Sequence, residues 1–168
     1  MARRIEHRAR STKDAATVHA ALTDPEYLRA RLAVLGGKGA ELIDLTRNGD
    51  TVEYHVKHGV AAADLPSAVR TLLGGDLTLD RVETWRSADN GYTGTVRVTL
   101  PGMPGELSGT MRLTGLAESG SERIVDGTVK IPIPLIGGKV EETVSGQLDR
   151  LLDAEDEFTE KWLETHQA

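Results

Sequence analysis

Glu155 stands on an otherwise apolar stripe. Val140, Val144, Leu148, Leu151, Phe158 and Trp162 recur at steps of three and four residues. At about 100° per residue, Glu155 falls among them. A carboxylate on such a face loses its water, which raises its pKa unless a cation sits beside it. Two roles follow. Glu155 either orients a ligand's polar group or moves a proton in a cavity, or it is one half of a buried ion pair. Arg81 is a candidate partner. Leu77, Leu79, Arg81, Glu83 and Trp85 share one strand face, so Arg81 meets Glu83 on its own strand or Glu155 on the helix. A bulge would turn Val82 and Thr84 inward instead, and the sequence leaves that register open.

Two histidines sit on faces that otherwise read inward: His7 with Ile5 and Ala9, and His58 with Tyr54, Val56 and Val60. Each is a donor, an acid or base near neutral pH, or an ordinary core residue. His19 and His55 read as surface residues. Tyr54, Trp85 and Tyr92 are candidate aromatic walls, and Met111, Leu151 and Phe158 complete the list of cavity candidates. No catalytic residue is assigned. The histidines are scattered, with no His-x-x-x-His on a helix and no carboxylate cluster beside them in sequence, so no metal site is expected. No phosphate-binding glycine loop or nucleophile elbow is present, and no cofactor is expected.

The elements that must position these residues are separated by clear turn signals. Arg3–Arg10 reads as a strand. Ser11-Thr12-Lys13-Asp14 resembles a capping box, with a helix to about Leu22. Thr23-Asp24-Pro25-Glu26 starts a second helix, which ends near Gly36-Gly37. Strands Ala40–Arg47 and Thr51–Val60 flank Asn48-Gly49-Asp50, and strands Leu77–Arg86 and Tyr92–Leu100 flank Asp89-Asn90-Gly91, both hairpin signals. Glu106–Leu116 and Glu122–Ile133 complete the set. Between the third and fourth strands, residues 61–76 read as a short capped helix that packs on the mouth of a groove. The chain closes with a helix from Lys139 to about Glu164. Alternation along the strands predicts an antiparallel sheet with one wet face. Glycines at 94, 109 and 127 on the inward face predict strong bending.

Composition narrows the function classes. A net charge of −6 argues against nucleic-acid binding. The basic N-terminal string from Arg3 to Arg10 reads as the outer face of a strand. The absence of cysteine removes disulfides and thiolate chemistry and fits a cytoplasmic location. No apolar run reaches the roughly 20 residues needed to span a bilayer, so no stable membrane insertion is expected.

The order strand, two helices, six strands, long helix resembles the START-like, or SRPBCC, helix-grip superfamily. Ala20-Ala21-Leu22-Thr23-Asp24-Pro25-Glu26-Tyr27-Leu28 is similar to its helix–turn–helix opening. Ala63-Asp64-Leu65-Pro66-Ser67, Leu73-Gly74-Gly75-Asp76, Glu83-Thr84-Trp85, Gly91-Tyr92-Thr93-Gly94 and Pro132-Ile133-Pro134-Leu135-Ile136-Gly137-Gly138-Lys139 resemble a bacterial family within it that has no assigned function. The resemblance implies lipid or sterol carriage, hormone binding, polyketide cyclisation or chaperone partnership, and carries over no catalytic motif.

The expectation is one α+β helix-grip domain over residues 1–168, with a curved antiparallel sheet of about seven strands gripping the long helix and two short helices after the first strand. Its expected partner is a small apolar molecule, lipid- or polyketide-like, under a lid at 61–76. The alternatives are a cyclase- or hydratase-like enzyme using Glu155 and a histidine, and an interaction module docking through the helix or an apolar Ile133–Ile136 tip. Oligomeric state is not predicted.

Overall fold

The computed structural model describes residues 2–166. A seven-stranded antiparallel sheet has the order β1-β7-β6-β5-β4-β3-β2. The strands are β1 (Ala2–Ser11), β2 (Glu41–Asn48), β3 (Thr51–Val60), β4 (Leu77–Ala88), β5 (Gly91–Thr99), β6 (Glu106–Gly115) and β7 (Ser121–Lys130). The helices are α1 (Ala15–Leu22), α2 (Pro25–Leu35), α3 (Ser67–Leu73) and α4 (Gly137–Thr165). Strands β2 to β7 follow one another as neighbours, and β1 returns from the start of the chain to pair with β7. The sheet curves, and α4 lies along its concave face. No helix among the described residues is long and apolar enough to cross a membrane.

Local chemistry explains most boundaries. Asp14 accepts from the Thr17 amide at 2.7 Å and is the cap of α1. The start is therefore Asp14 rather than Ser11, which ends β1 and whose hydroxyl accepts from the Lys13 amide. Asp24 caps α2 ahead of Pro25 in its first turn. β7 stops at Lys130, short of the expected Ile133. Prolines 132 and 134 have no amide to give a ladder, and the Ile131 amide donates instead to the Glu141 carboxylate at 2.8 Å. In the paired strands β6 and β7, Gly109 lies opposite Gly127. A Cβ on Gly109 would sit 2.7 Å from the Gly127 Cα, so the two backbones approach more closely there than side chains permit.

The register of β4 is settled. Val52 faces Trp85, Tyr54 faces Glu83, Val56 faces Arg81, His58 faces Leu79 and Val60 faces Leu77. Leu77, Leu79, Arg81, Glu83 and Trp85 are all buried, with half-buried residues between them. No bulge turns Val82 and Thr84 inward.

The stripe on α4 bends away from the expected line. Val140, Val144 and Leu148 are buried, but in the C-terminal half the buried positions are Glu155, Thr159 and Leu163. Phe158 and Trp162 are half-buried and pack around Tyr27 of α2, with ring centroids 5.8 and 5.7 Å away. The cause is a change of neighbour. Helices α1 and α2 also pack on α4, so burial there no longer comes from the sheet alone.

Candidate functional site

The charges meet at the centre of the core. Glu155 is 1% exposed, although it is a carboxylate on a helix facing a sheet. Arg81 of β4 donates through Nη1 to its Oε2 at 2.9 Å, and Nε of Arg31 on α2 lies 3.4 Å from the same oxygen. Arg81 also donates through Nε to Glu83, which accepts from the Tyr54 hydroxyl at 2.6 Å. Two arginines and two carboxylates thus balance, and the cluster ties α2, α4, β3 and β4 together. Burial alone would push the Glu155 carboxyl up; Arg31 and Arg81 outweigh it and hold the group down at about 2. Glu83 is likewise pushed up by burial and, on balance, lowered by Arg81 and Arg31. Burial, then Glu83, keeps the Tyr54 phenol protonated well above its ordinary range.

Beside this cluster lies a cavity of about 240 Å³. Its walls are Val144, Leu148 and Leu151 of α4, the ends of β3 and β4 at His58, Val60, Leu77 and Leu79, the close of α2 at Leu35 and Gly36, and Leu65 and Val69. The last two belong to segment 61–76. That segment is a 3₁₀ turn at Ala62–Asp64 followed by α3. Leu65 and Val69 are its buried anchors, whereas Leu72 is exposed. Its two ends are tied by the Asp76 carboxylate, which accepts from the Ala62 amide at 2.8 Å. Gly74 closes α3 in the left-handed conformation at φ 70°.

His58 is 4% exposed, and neither ring nitrogen has a hydrogen-bond partner. Burial, then Arg81, pushes its imidazole down to about 4, so it is neutral at ordinary pH. Thr143, Gln147 and Arg150 of α4 also line the cavity, but each is half-buried or exposed. Among the lining residues, His58 alone has a side chain both polar and buried.

Of the ten sequence candidates, His58 and Leu151 line this cavity. Tyr54, Arg81 and Glu155 form the charged cluster next to it. The others are placed elsewhere. His7 bonds to Asp156 of α4, with Asp153 3.7 Å away. The hydrogen bond to Asp156 raises its pKa against the opposing effect of burial. No carboxylate lies beside His7 in sequence except Glu6, and α4 brings Asp153 and Asp156 from 146 residues or more along the chain. Arg123 also donates to Asp156, so the group contains its own cation. Tyr92 stacks on His19 at a centroid distance of 3.7 Å. His19 is thus half-buried rather than on the surface, and Trp85 meets it edge-on. Met111 lies in the core near Gly94, and Phe158 packs with Tyr27.

Arg31 and Glu141 went unremarked in the sequence. Both had a signal: Arg31 falls on one face with Tyr27, Leu28 and Leu32, and Glu141 on the stripe beside Val140 and Val144. At the tip before α4, Leu135 is fully exposed at φ 70°, while Ile136 packs against the core. The two residues therefore divide between pointing outward and sealing the helix base. A wider depression of about 690 Å³ between α1 and the end of α4 is a surface groove of mixed character, lined by Lys13, Asp14, Asp24 and Glu26 and by Ala20, Ala21, Trp162 and Leu163 among others.

A profile of the family described as protein of unknown function (DUF2505) matches residues 6–163. The chain belongs to this family. It is 34% identical over 153 residues to uncharacterized proteins of Mycobacterium tuberculosis and Mycobacterium bovis, covering 87% of this chain and 88% of theirs. Among solved structures, this DUF2505 chain is similar to the Zhui aromatase/cyclase from Streptomyces sp. R1128, with TM-score 0.66 and 14% identity over 98% of this chain and 94% of that one. It is also similar to norcoclaurine synthase from Thalictrum flavum, with TM-score 0.63 and 12% identity over 99% and 88%. A third similar structure is a conserved protein from Geobacillus kaustophilus, with TM-score 0.61 and 17% identity over 97% and 96%. At such identities the likeness is one of fold: the DUF2505 chain has the helix-grip architecture.

Proposed function

We propose that this protein binds and carries a small, largely apolar molecule between α4 and the ends of β3 and β4, with residues 61–76 as the lid. One observation carries the reading: a mainly aliphatic cavity of about 240 Å³ is lined in part by a buried histidine with no partner of its own. Cavities lined by apolar groups with a few convergent polar ones are the usual form of a small-molecule site. The similar folds of an aromatase/cyclase and norcoclaurine synthase support the use of such a space, and lipid- or polyketide-like molecules match its lining.

Protein purified without denaturation and extracted with organic solvent should release a stoichiometric apolar molecule, identifiable by mass spectrometry. Leu79→Trp, which fills the cavity, should abolish its recovery. Recovery of nothing from the wild type, or equal recovery from Leu79→Trp, would overturn the reading.

A cavity enzyme of the cyclase or hydratase type is the second reading. Its specific support is His58, a neutral imidazole able to accept a proton at the ligand. Glu155, ionised between two arginines, is not a proton donor near neutral pH. In this reading His58→Gln stops turnover while the ligand still binds.

A further inference from the structure

We propose that the ligand presents an uncharged hydrogen-bonding group, a hydroxyl or phenol, to His58 and is otherwise apolar at its inner end. The inference rests on the carrier reading and adds the chemistry of what is carried.

The first ground is an unmet valence. A neutral imidazole has one donor and one acceptor, and leaving buried polar groups unpaired costs roughly 1–3 kcal/mol each. Both nitrogens of His58 are in that state. Leu77, Leu79, Val144, Leu148, Leu65 and Val69 offer only carbon side chains, and the polar lining residues Thr143, Gln147 and Arg150, half-buried or exposed on α4, make no hydrogen bond to the ring. A hydroxyl both donates and accepts, so it suits either tautomer of the ring.

The second ground is charge. The ionised groups that act most on His58 are Arg81, Glu155, Arg31 and Glu83. Two are positive and two negative, and they are joined to one another. Among these four no net charge is left over to compensate a carboxylate or ammonium at the inner end of a ligand, and the cavity's other cation, Arg150, is on the solvent-exposed side of α4. Burial and Arg81 hold His58 neutral, so the ring supplies no counter-charge either. An ionised inner end would lose its water without compensation. A purely hydrocarbon end would leave the ring unpaired. An uncharged hydroxyl avoids both costs.

The test uses three probes of one ring system: naphthalene, 1-naphthol and 1-naphthoate. Each is titrated calorimetrically into the full-length protein, freed of bound ligand on a hydrophobic resin. The expected result is that 1-naphthol binds at least about tenfold more tightly than the other two, which corresponds to about 1.4 kcal/mol. His58→Leu should erase that preference without weakening naphthalene, and His58→Gln, which keeps a donor and an acceptor, should retain part of it. Equal binding of naphthalene and 1-naphthol by the wild type, as expected if water alone serves His58, would overturn the proposal and leave the carrier reading standing. So would tighter binding of 1-naphthoate, or a preference that survives in His58→Leu. Failure of all three probes to bind would count against the cavity as a binding site, and the proposal would fall with it.

Discussion

Glu155 joins three elements through one carboxylate. Its Oε2 takes both Arg81 from the sheet and Arg31 from α2, while its backbone carbonyl accepts from Thr159, whose hydroxyl also meets that of Tyr27 at 2.6 Å. Building a buried ion pair gains little over well-packed apolar residues, but removing one partner leaves a charge with nothing to compensate it. Glu155→Gln should therefore destabilise the fold by about 3–5 kcal/mol, as measured by urea denaturation. A loss under about 1 kcal/mol would show that the arginines find other partners. The anomaly itself was legible in sequence, because helical periodicity places residue 155 on the apolar face. Its partners were only half legible. Arg81 was marked by its neighbours on β4, but Arg31 lies 124 residues away from Glu155, and its pairing depends on how α2 docks.

At the scale of elements, residues 61–76 stand apart from the tight turns elsewhere. The segment is anchored by Leu65 and Val69, and its ends are tied by the Asp76–Ala62 hydrogen bond. A single neutral-to-charged bond of this kind contributes about 0.5–3 kcal/mol. Asp76→Ala should loosen the lid without unfolding the sheet. Hydrogen exchange should then quicken at the amides of 62–73 while those of β5 and β6 are unchanged, and a bound probe should dissociate faster. Unaltered exchange in the segment would show that the apolar anchors alone hold it. The existence of this helix was readable from Asp64-Leu65-Pro66-Ser67 and the apolar spacing that follows. Which of its residues face inward was not, since Leu72 shares the periodicity yet remains exposed.

For the molecule as a whole, the buried histidines set how stability responds to pH. His58 is lowered to about 4 in the fold against an ordinary value of 6.5. The unfolded chain therefore takes up a proton first as pH falls. The contribution is complete above 6.5 and is lost between 6.5 and 4, by roughly 3 kcal/mol if His58 acts alone. His7 has the opposite sign. Its raised value stabilises the fold below its ordinary pKa, and that contribution fades as pH rises through the folded value. Glu155 is lowered to about 2, and its share disappears only in stronger acid. Urea midpoints at pH 7.5 and 4.5 should fall further in wild type than in His58→Gln. Equal falls would show that His58 is not held neutral.

The sequence alone determined the order and type of the elements, the antiparallel sheet, the long closing helix and the presence of charge on buried faces. These depend on periodicity, capping and turn chemistry, which act over a few residues. Only the tertiary structure decided which charges meet, where α4 turns its buried face and which histidine lines the cavity. His7 and His58 read alike along their strands. One is paired with Asp156 of α4 and the other is left unpartnered beside Leu148, because the helix crosses the sheet and presents a different turn to each. That choice is made by contacts between residues far apart in the chain, and no local pattern records it.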